Sequence, residues 1–366
     1  MFSFFLKQKT ALGLDISETS LRLMQLKPLG SGFYPGAFAD IPMPKGLVAE
    51  DKIGDTKKLA EVISKALAHP AVGTFDSRYA VLSLPESKSF VRVISVPKMT
   101  EAEAAEAVPF EAEQYIPMSA DQVYLDFHLV PGFASEDNKM KVVICATPKS
   151  LVENYVEAIK LAKLKPVAAE LESEAVSRAL VGPENRDKPT LIIDSSASRT
   201  NLIIFDQGTL QFTSSLPVGG NSFSAQLSQS LTVSFEEAEK LKRQMGLQAA
   251  KDSNRVAAAL QPLLRSLIEA VANTMNFYRE HSDGSREIST IVLSGGACKI
   301  KGLAEYLTRQ LSSNPSVKTK ALSIKTGDPW VNVIERPMKR VPPISKLDSM
   351  SFTTVIGLAL RGVEME

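Results

Sequence analysis

Two distant stretches of this chain share one sequence pattern. In each, an apolar run ends in an aspartate, a turn of small and hydroxyl residues follows, and a second apolar run begins. The first copy covers 13–26 with Asp15 in this place, and the second covers 191–205 with Asp194. Each copy predicts two strands joined by a tight polar turn. One such hairpin is also typical of an ordinary turn, but two copies predict two related domains that face each other across a cleft.

The residues of these turns favour an anionic ligand. A tight turn can direct backbone N–H groups and hydroxyls at a phosphate, while a neighbouring carboxylate faces a hydrated metal ion. The first turn offers Ser17, Thr19 and Ser20 beside Asp15, and the second turn is equally rich in serine. We therefore expect the cleft to bind phosphate groups.

Composition excludes several other classes of protein. The chain has 366 residues, of which 44% are hydrophobic and 23% charged, and this is typical of a globular protein with two or three domains. Its net charge of +1 gives no general electrostatic reason to bind nucleic acid or a membrane. Cys145 and Cys298 fit no metal or disulfide pattern, which favours a reducing compartment. No apolar run approaches the roughly 20 residues of a membrane span.

Linkers and changes of rhythm predict the domain boundaries. A polar linker with two prolines, 182–189, separates the two halves of the chain. The stretch after residue 85 has a different rhythm, which indicates an inserted subdomain. We expect a first domain at 1–85, an inserted subdomain at 86–163, a return to the first domain at 164–187, a second domain at 188–346, and a C-terminal helix at 347–366 that packs back on the first domain.

Several residues predict where helices begin and end. Asp55 is expected to cap the N-terminus of a helix, and Thr100 with Glu103 forms a capping-box pattern in the inserted subdomain. Gly246 is expected to end a charged helix. The residues 217–222 are expected to form a loop that leads into a helix near Phe223.

The first nine residues are aromatic but do not form a signal peptide. The stretch 1–9 is too short and lacks a small-residue cleavage site. We expect a packed N-terminal arm, with a transient contact to a membrane or a protein as the alternative.

A pair of glycines follows a predicted buried strand in the second half. Gly295 and Gly296 come directly after Ser294. Such a pair allows the backbone to approach a planar ligand closely, although a plain strand-to-helix turn would also explain it.

The order of these features resembles the actin-like ATPase superfamily. That resemblance implies an α/β fold of two ribonuclease H-like domains, with a small subdomain inserted in the first. Within the superfamily the chain resembles the PilM family of type IV pilus assembly proteins and, more distantly, FtsA. The stretches 92–100 and 110–118 are the most specific, because they lie in the insertion that separates PilM-like proteins from actin and the DnaK-type chaperones.

The resemblance implies that ATP and Mg²⁺ bind in the cleft. Asp15 and Asp194 would face the metal ion, mostly through water. Arg22 stands where a lysine commonly reaches the phosphates, and Glu239 with Lys242 would edge the nucleoside. The residues implied near the nucleotide are Asp15, Ser17, Thr19, Ser20, Arg22, Asp194, Ser196, Thr200, Gly219, Gly220, Asn221, Glu239, Lys242, Ser294, Gly295 and Gly296.

Two positions depart from the pattern of the superfamily. Ser17 and Ser196 stand where glycine is usual. If these positions need positive φ, a non-glycine residue costs about 1–2 kcal/mol there, and nucleotide affinity would fall roughly ten-fold. No residue clearly serves to orient an attacking water, since Gln114 lies in the inserted subdomain. We therefore expect at most a weak ATPase.

The resemblance also implies a partner. Members of the family bind the cytoplasmic N-terminal tail of a PilN-like inner-membrane protein in a groove that involves the inserted subdomain. The predicted strands at 90–96 and 123–130 are candidate edges for an extended peptide. We expect a cytoplasmic scaffold that is recruited to the inner face of the plasma membrane and has a capacity for self-association.

Two other functions remain open at this point. A small-molecule kinase of the same superfamily would need a general base, for which Asp76, Asp121 and Asp126 are available. A membrane-tethered filament protein like FtsA would need a terminal amphipathic helix, and the residues 360–366 are too short and too acidic to form one. Only the aromatic N-terminus could replace it.

Overall fold

The computed structural model describes residues 10–130, 138–247, 253–282, 286–317, 319 and 321–365. The predicted packed arm at 1–9 lies outside the described residues. The strands of the described residues are β1 (Leu12–Ile16), β2 (Ser20–Leu29), β3 (Gly32–Pro42), β4 (Val48–Ala49), β5 (Lys52–Ile53), β6 (Tyr79–Leu84), β7 (Phe90–Pro97), β8 (Val123–Leu129), β9 (Lys139–Pro148), β10 (Lys165–Leu171), β11 (Thr190–Ser195), β12 (Thr200–Asp206), β13 (Thr209–Leu216), β14 (Thr290–Ser294) and β15 (Ser323–Thr326). The helices are α1 (Thr56–Ala68), α2 (Glu101–Ala112), α3 (Lys149–Leu161), α4 (Glu172–Leu180), α5 (Gly220–Leu231), α6 (Phe235–Met245), α7 (Ser253–His281), α8 (Leu303–Ser312), α9 (Lys346–Ser349) and α10 (Thr353–Glu364).

Two five-stranded sheets have the same topology. The first has the order β10-β6-β1-β2-β3, and the second has the order β15-β14-β11-β12-β13. In both, three strands are parallel and the last two form antiparallel hairpins. β1 and β11 are central and buried along their whole length, which explains why their apolar runs are continuous rather than alternating. The two related domains predicted from the repeated hairpin are present, and the α/β fold implied by the resemblance is confirmed.

A third, three-stranded sheet lies between β6 and α3 in the chain. Its order is β7-β9-β8, and all its pairs are antiparallel. One face packs on α2, where Ile94, Val123 and Ile144 bury against Ala104 and Val108. This small sheet with its helix forms a hydrophobic cluster of its own.

The predicted helix caps are present. The Asp55 carboxylate accepts hydrogen bonds from the first turn of α1. Thr100 and Glu103 form a reciprocal capping box at α2, and α6 ends at Gly246 with φ of +59°. The helix expected near Phe223 instead begins three residues earlier, at Gly220.

The last helix of each half crosses to the other half. α4 follows a strand of the first sheet, yet its Val176 and Leu180 pack against Ile192 of the second sheet. α10 follows the second sheet, yet it packs on β1 and β2 of the first. The two helices touch where a Cβ added to Gly357 would lie 1.8 Å from the carbonyl oxygen of Ala175. This exchange of α4 and α10 between the two halves joins them beneath the cleft.

No helix within the described ranges is long and apolar enough to cross a membrane.

Candidate functional site

A cavity of about 630 Å³ lies between the two related halves. Both Asp-containing turns contribute to its wall, together with the start of α5, one face of α6, the Gly-Gly turn and the segment before α10. Its volume falls within the range of about 300–1,000 Å³ that is usual for small-molecule sites. The cavity is therefore large enough for a nucleotide.

The two hairpins place equivalent residues at equivalent points. Asp15 of β1 pairs across the ladder with Arg22 of β2, and Asp194 of β11 pairs with Asn201 of β12. Each aspartate also has a serine on the neighbouring parallel strand. Ser83 donates a hydrogen bond to Asp15 at 3.1 Å, and Ser294 stands opposite Asp194.

The turns themselves are closed in the same way. The amide of Ser17 donates to the carbonyl of Ser20 at 2.9 Å, and the amide of Ser196 donates to the carbonyl of Arg199 at 2.9 Å. The serine hydroxyls add a second hydrogen bond to the same carbonyls, at 3.0 and 3.1 Å. These hydroxyls thus hold the two turns in the same shape, and a role for them at a phosphate stays a prediction.

The predicted strain at the two serines is absent. Neither Ser17 nor Ser196 has positive φ, so the cost of about 1–2 kcal/mol that applies to left-handed residues does not arise. Any residue can adopt the backbone φ at these two positions. The part of the expected penalty on nucleotide affinity that came from backbone strain therefore does not apply.

Four amide groups of these turns remain available to an anion. Glu18, Thr19, Ala197 and Ser198 all line the cavity, and their backbone N–H groups donate to no acceptor among the described residues. Successive free N–H groups in a turn form an anion-binding concavity. The two turns thus supply two such groups each, from opposite walls of one cavity, which fits a chain of phosphates.

Three carboxylates, those of Asp15, Asp194 and Glu172, line one part of the cavity, which we call its floor. Burial raises the pKa of Asp15 despite the nearby Arg22 guanidinium. Burial and the charge of Asp15 raise the pKa of Asp194 to about 6, although Ser294 opposes the shift. Burial, followed by the charges of both aspartates, raises the pKa of Glu172 well above its usual value. Mutual repulsion of this kind means that a cation at the floor would be favourable.

The acidic floor fits a hydrated Mg²⁺ rather than a caged metal. In the part of the chain that the structure describes, no group of three or more His, Cys, Asp or Glu side chains is arranged to hold a metal ion. Mg²⁺ usually keeps several waters and takes one or two carboxylates plus phosphate oxygens. Asp15 and Asp194 could supply those carboxylates, so the residues present fit the ion that the resemblance implies.

A salt bridge spans the cleft. Arg199, in the turn of the second half, places Nη2 2.8 Å from Oδ2 of Asp51, in the β4–β5 hairpin of the first half. Ser87 also donates a hydrogen bond to this oxygen. Both charged side chains line the cavity and are less than one quarter exposed. The pair therefore holds the two walls together, and phosphate groups would compete for the same guanidinium.

We expect the Arg199–Asp51 pair to contribute about 1 kcal/mol or more to stability, because it is partly shielded from water. A double-mutant cycle with Asp51→Ala and Arg199→Ala, followed by urea denaturation, measures this coupling. The exposed pair Lys299–Asp348 provides the control cycle, with an expected coupling below about 0.5 kcal/mol. A coupling near zero for Arg199–Asp51 would contradict a clamp across the cleft.

Glu239 and Lys242 line the cavity but are bound to each other. The Lys242 ammonium donates to Glu239 at 2.6 Å, to the Gly220 carbonyl at 2.8 Å and to the Ser224 hydroxyl at 2.8 Å. These bonds use all three of its donors. Burial alone would raise the pKa of Glu239, but hydrogen bonds from Lys242, Ser224 and Arg243 lower it to about 2. The pair thus joins α6 to α5 and shapes the wall.

The start of α5 supports the second turn. The amides of Gly220 and Asn221 donate to the carbonyls of Ser196 and Ala197 at 2.9 and 2.8 Å. A helix N-terminus usually offers free N–H groups to an anion, but here the first two amides of the helix are occupied. Gly220 and Asn221 therefore border the cavity and stabilise the turn that carries the free amides.

The two glycines of the Gly-Gly turn have different roles. Gly295 has φ of +84°, and an added Cβ would lie 2.2 Å from the carbonyl oxygen of Ser195, so glycine is required by packing within the protein. At Gly296 an added Cβ would meet only the Ser351 hydroxyl, at 3.3 Å. Only the second glycine leaves open space beside the cavity.

The structure brings most of the predicted residues to one cavity. The wall includes Asp15, Ser17, Thr19, Arg22, Asp194, Ser196, Gly220, Asn221, Glu239, Lys242, Gly295 and Gly296. Four predicted residues are buried and do not form the wall, namely Ser20, Thr200, Gly219 and Ser294. Arg22 reaches the wall while contacting two carboxylates, Asp15 at 3.9 Å and Asp40 at 3.2 Å.

Sequence reasoning missed several residues of this wall. Glu172 is the first residue of α4 and accepts a hydrogen bond from Asn201 at 3.1 Å. Phe235 and Leu347 are apolar, about half exposed, and border the cavity. An acid in the first turn of a helix and an exposed apolar residue at a helix start are both common, so the sequence carried little signal for them. Gln114 is exposed in the inserted subdomain and is absent from the wall.

Comparison with known proteins agrees with this architecture. A family model described as type IV pilus assembly protein PilM matches residues 13–363. The solved PilM-PilN type IV pilus biogenesis complex contains a chain that aligns with a TM-score of 0.79 and 28% identity, over 97% of this chain and 99% of that chain.

More distant relatives share the fold. The cell division protein FtsA of Neisseria meningitidis serogroup B (strain ATCC BAA-335 / MC58) is 23% identical over 245 residues, which are 62% of this chain and 55% of FtsA. The chain thus spans about half the length of the curated relatives it matches. MreB 5 of Spiroplasma citri bound to AMPPNP aligns with a TM-score of 0.51 and 14% identity, over 98% of this chain and 96% of that chain.

The repeated hairpin, the inserted three-stranded sheet and the cleft between two like sheets all agree with the family match, which covers nearly the whole sequence. The chain belongs to the PilM family of type IV pilus assembly proteins.

Proposed function

We propose that the chain is an actin-like scaffold of the type IV pilus inner-membrane assembly platform. It would act on the cytoplasmic face and bind the N-terminal tail of a PilN-like protein. The observation that carries this proposal is the alignment of 97% of the chain with a chain of the PilM-PilN complex. Such a scaffold needs a surface for an extended peptide, and the inserted subdomain offers one.

The best candidate for that surface is the outer edge of β8. β8 is the last strand of its sheet, and its outer edge pairs with no other described strand, whereas β7 lies beside β13 of the second half. Along β8, Tyr124, Asp126 and His128 are exposed. An extended peptide can add to such an edge through main-chain hydrogen bonds, while alternate side chains enter pockets.

Tyr124 stands at the junction of the inserted sheet and the first domain. It is 49% exposed, and the Lys149 ammonium at the start of α3 lies 5.7 Å from its ring centroid. Tyr124 is thus an exposed aromatic side chain beside a basic one, on the strand whose outer edge is open. A large aromatic residue in this position is suited to anchor a peptide side chain.

We expect Tyr124→Ala to weaken binding of the PilN-like N-terminal peptide about ten-fold, because aromatic anchors dominate such interfaces. Fluorescence anisotropy of the labelled peptide with the full chain measures the affinity. Phe110→Ala is the matched control, since Phe110 is 74% exposed on α2 of the same subdomain. Absence of binding by the unaltered chain at high micromolar peptide would refute the partner. A loss in Phe110→Ala but not in Tyr124→Ala would refute the edge of β8 as the binding surface.

We also propose that the cleft binds ATP with Mg²⁺. The free amides of the two turns would hold the phosphates, and Asp15 with Asp194 would hold the hydrated metal ion. The metal ion would neutralise the acidic floor when bound. Because a nucleotide would contact both turns at once, it would favour closure of the two halves. Its loss would change the affinity for a partner only as far as the open and closed states differ in their binding of that partner.

We expect Asp15→Ala to lower the affinity for a fluorescent ATP analogue at least ten-fold in the presence of Mg²⁺, because one of two metal-side carboxylates is lost. Direct titration of the full chain measures this. Asp40→Ala serves as the control, since Asp40 also contacts Arg22 but does not line the cavity. Equal losses in both variants would show that the effect passes through Arg22 and would contradict the metal site.

The alternative functions are not favoured. Asp76, Asp121 and Asp126, the acids available to a kinase, are absent from the cavity wall. The C-terminal helix α10 is buried against the first sheet and so is not available as a membrane tether of the FtsA kind. Self-association remains an expectation from the superfamily.

A further inference from the structure

A loop at one end of the first domain exposes apolar and basic side chains together. Residues 336–341 are six consecutive exposed positions. Among them, Met338 is 48% exposed and Val341 is 76% exposed, the highest value for a large apolar residue in the described ranges. Two large apolar side chains that stand this far into solvent within four residues of sequence indicate an interaction surface.

The loop is held against the far end of the first sheet. The Phe33 amide in the β2–β3 hairpin donates to the Val333 carbonyl at 2.6 Å, and the Arg340 guanidinium lies 4.1 Å from the centroid of the Tyr34 ring. β2 has ten residues and begins at the cleft, so this end lies about 30 Å from the nucleotide cavity. The surface is therefore separate from the candidate site.

The loop also carries an excess of positive charge. Residues 328–346 contain four basic and two acidic side chains. The acids pair with Arg336, Lys339 and Lys346, whereas Arg340 forms no salt bridge with any described residue. The whole chain has a net charge of only +1. The positive charge that would attract an anion here is therefore a property of this loop and not of the whole molecule.

Thr10, the first described residue, is bonded to the strand that runs to this end. The Thr10 hydroxyl donates to the Leu26 carbonyl at 3.1 Å, and Leu26 lies three residues before the tip of the β2–β3 hairpin, a distance of about 10 Å. Residues 1–9 contain three phenylalanines, one leucine and two lysines, and no acid. Residues 1–9 and the loop therefore have a like composition, since both combine apolar or aromatic residues with basic ones.

We propose that this end of the first domain binds an anionic lipid surface, with Met338 and Val341 in the headgroup region and Lys339 and Arg340 beside the lipid phosphates. Residues 1–9 cannot neutralise the charge of the loop, because the loop and these residues are both basic. A second copy of the chain bound at this surface would also bring like charges together. A bilayer interface offers negative charge and an apolar layer at once. This contact needs neither the partner peptide nor the nucleotide, so it goes beyond the proposed function.

Co-sedimentation of the full chain with vesicles tests the proposal. The probes are vesicles of phosphatidylcholine alone and of phosphatidylcholine mixed with phosphatidylglycerol. We expect binding to the mixed vesicles only, weakened by salt. Lys339→Glu with Arg340→Glu should reduce the bound fraction roughly five-fold or more, and Met338→Ser with Val341→Ser should reduce it as well. All four positions are exposed, so the variants should fold.

The matched control reverses two lysines on another exposed surface. Lys57→Glu with Lys58→Glu, on α1, changes the net charge equally and also breaks one pair with a nearby carboxylate. This control should retain binding. Equal losses in the two charge variants, undiminished binding in both loop variants, or no binding by the unaltered chain would each overturn the proposal. Stronger binding after removal of residues 1–9 would also overturn it, because it would show that those residues cover the loop.

Discussion

Replacement of Asp206 by alanine is expected to lower the free energy of unfolding by about 3 kcal/mol. Asp206 is only 1% exposed at the end of β12. Its two carboxylate oxygens accept hydrogen bonds from Arg286 at 2.5 and 2.6 Å, and Tyr278 of α7 donates to it at 2.5 Å. Arg286 also donates to the Asp187 carbonyl in the interdomain linker. The Asp206 carboxylate thus connects β12 to α7 directly and to the linker through Arg286.

The size of this effect follows from what the substitution leaves behind. Breaking a buried ion pair usually costs about 3–5 kcal/mol, because the remaining partner keeps its charge without compensation. Arg286 is still 28% exposed, so solvent screens it and the lower end of that range applies. Tyr278 would lose its acceptor inside the protein.

Urea denaturation followed by circular dichroism measures the loss. Asp348→Ala is the control, since Asp348 forms an exposed salt bridge with Lys299 and should change stability by less than about 1 kcal/mol. If Asp206→Ala and Asp348→Ala lower stability equally, the cluster around Asp206 is not a structural fastening point.

The fold could be predicted because its signals are local or repeated. Asp15 and Asp194 each end a buried strand, and the same spacing recurs in both halves, so the pattern specified two equivalent hairpins. Asp55 and Thr100 predicted their caps correctly because an N-cap depends on the next three residues alone. Such features need no knowledge of distant contacts.

The details of the cavity could not be predicted because they depend on contacts between distant residues. Ser17 was expected to be strained, but the strain depends on φ, and the turn closed through its hydroxyl at negative φ instead. Lys242 was expected beside a nucleoside, but it is bound to Glu239 and Gly220. Nothing near Asp51 in the sequence indicates that it meets Arg199. Tertiary packing alone decides these partners.

The crossing of α4 and α10 shows the same limit on a larger scale. The sequence of α10 predicts a helix of small residues, yet its position on the first sheet depends on a close approach between Gly357 and Ala175. No local pattern in the C-terminal segment specifies that it packs on the first sheet. The exchange matters for function because α4 carries Glu172 to the floor of the cavity.

Replacement of Asp194 by asparagine is expected to stabilise the ligand-free protein while it weakens Mg²⁺-dependent nucleotide binding. Burial and the charge of Asp15 raise the pKa of Asp194 from its usual 3.8 to about 6. Between about pH 4 and 6 the folded protein therefore holds a proton that the unfolded chain has lost, and stability falls as the pH rises through this window. Above pH 6 the ionised carboxylate costs on the order of 3 kcal/mol.

Asparagine removes this cost because it stays neutral at every pH. At pH 7.5 the variant should be more stable than the unaltered chain. Between pH 4 and 6 its stability should fall less as the pH rises. Some dependence of stability on pH should remain, because the pKa values of Asp15 and Glu172 are also raised. Urea denaturation across this pH range measures both effects, and titration with a fluorescent ATP analogue and Mg²⁺ measures the loss of binding. Asp121→Asn, at an exposed position, should change none of the three. A variant that is less stable at pH 7.5 would contradict the repulsion at the floor of the cleft. A gain in stability together with a loss of nucleotide binding is what a cation site requires, because the charge that destabilises the empty protein is the charge that holds the ligand.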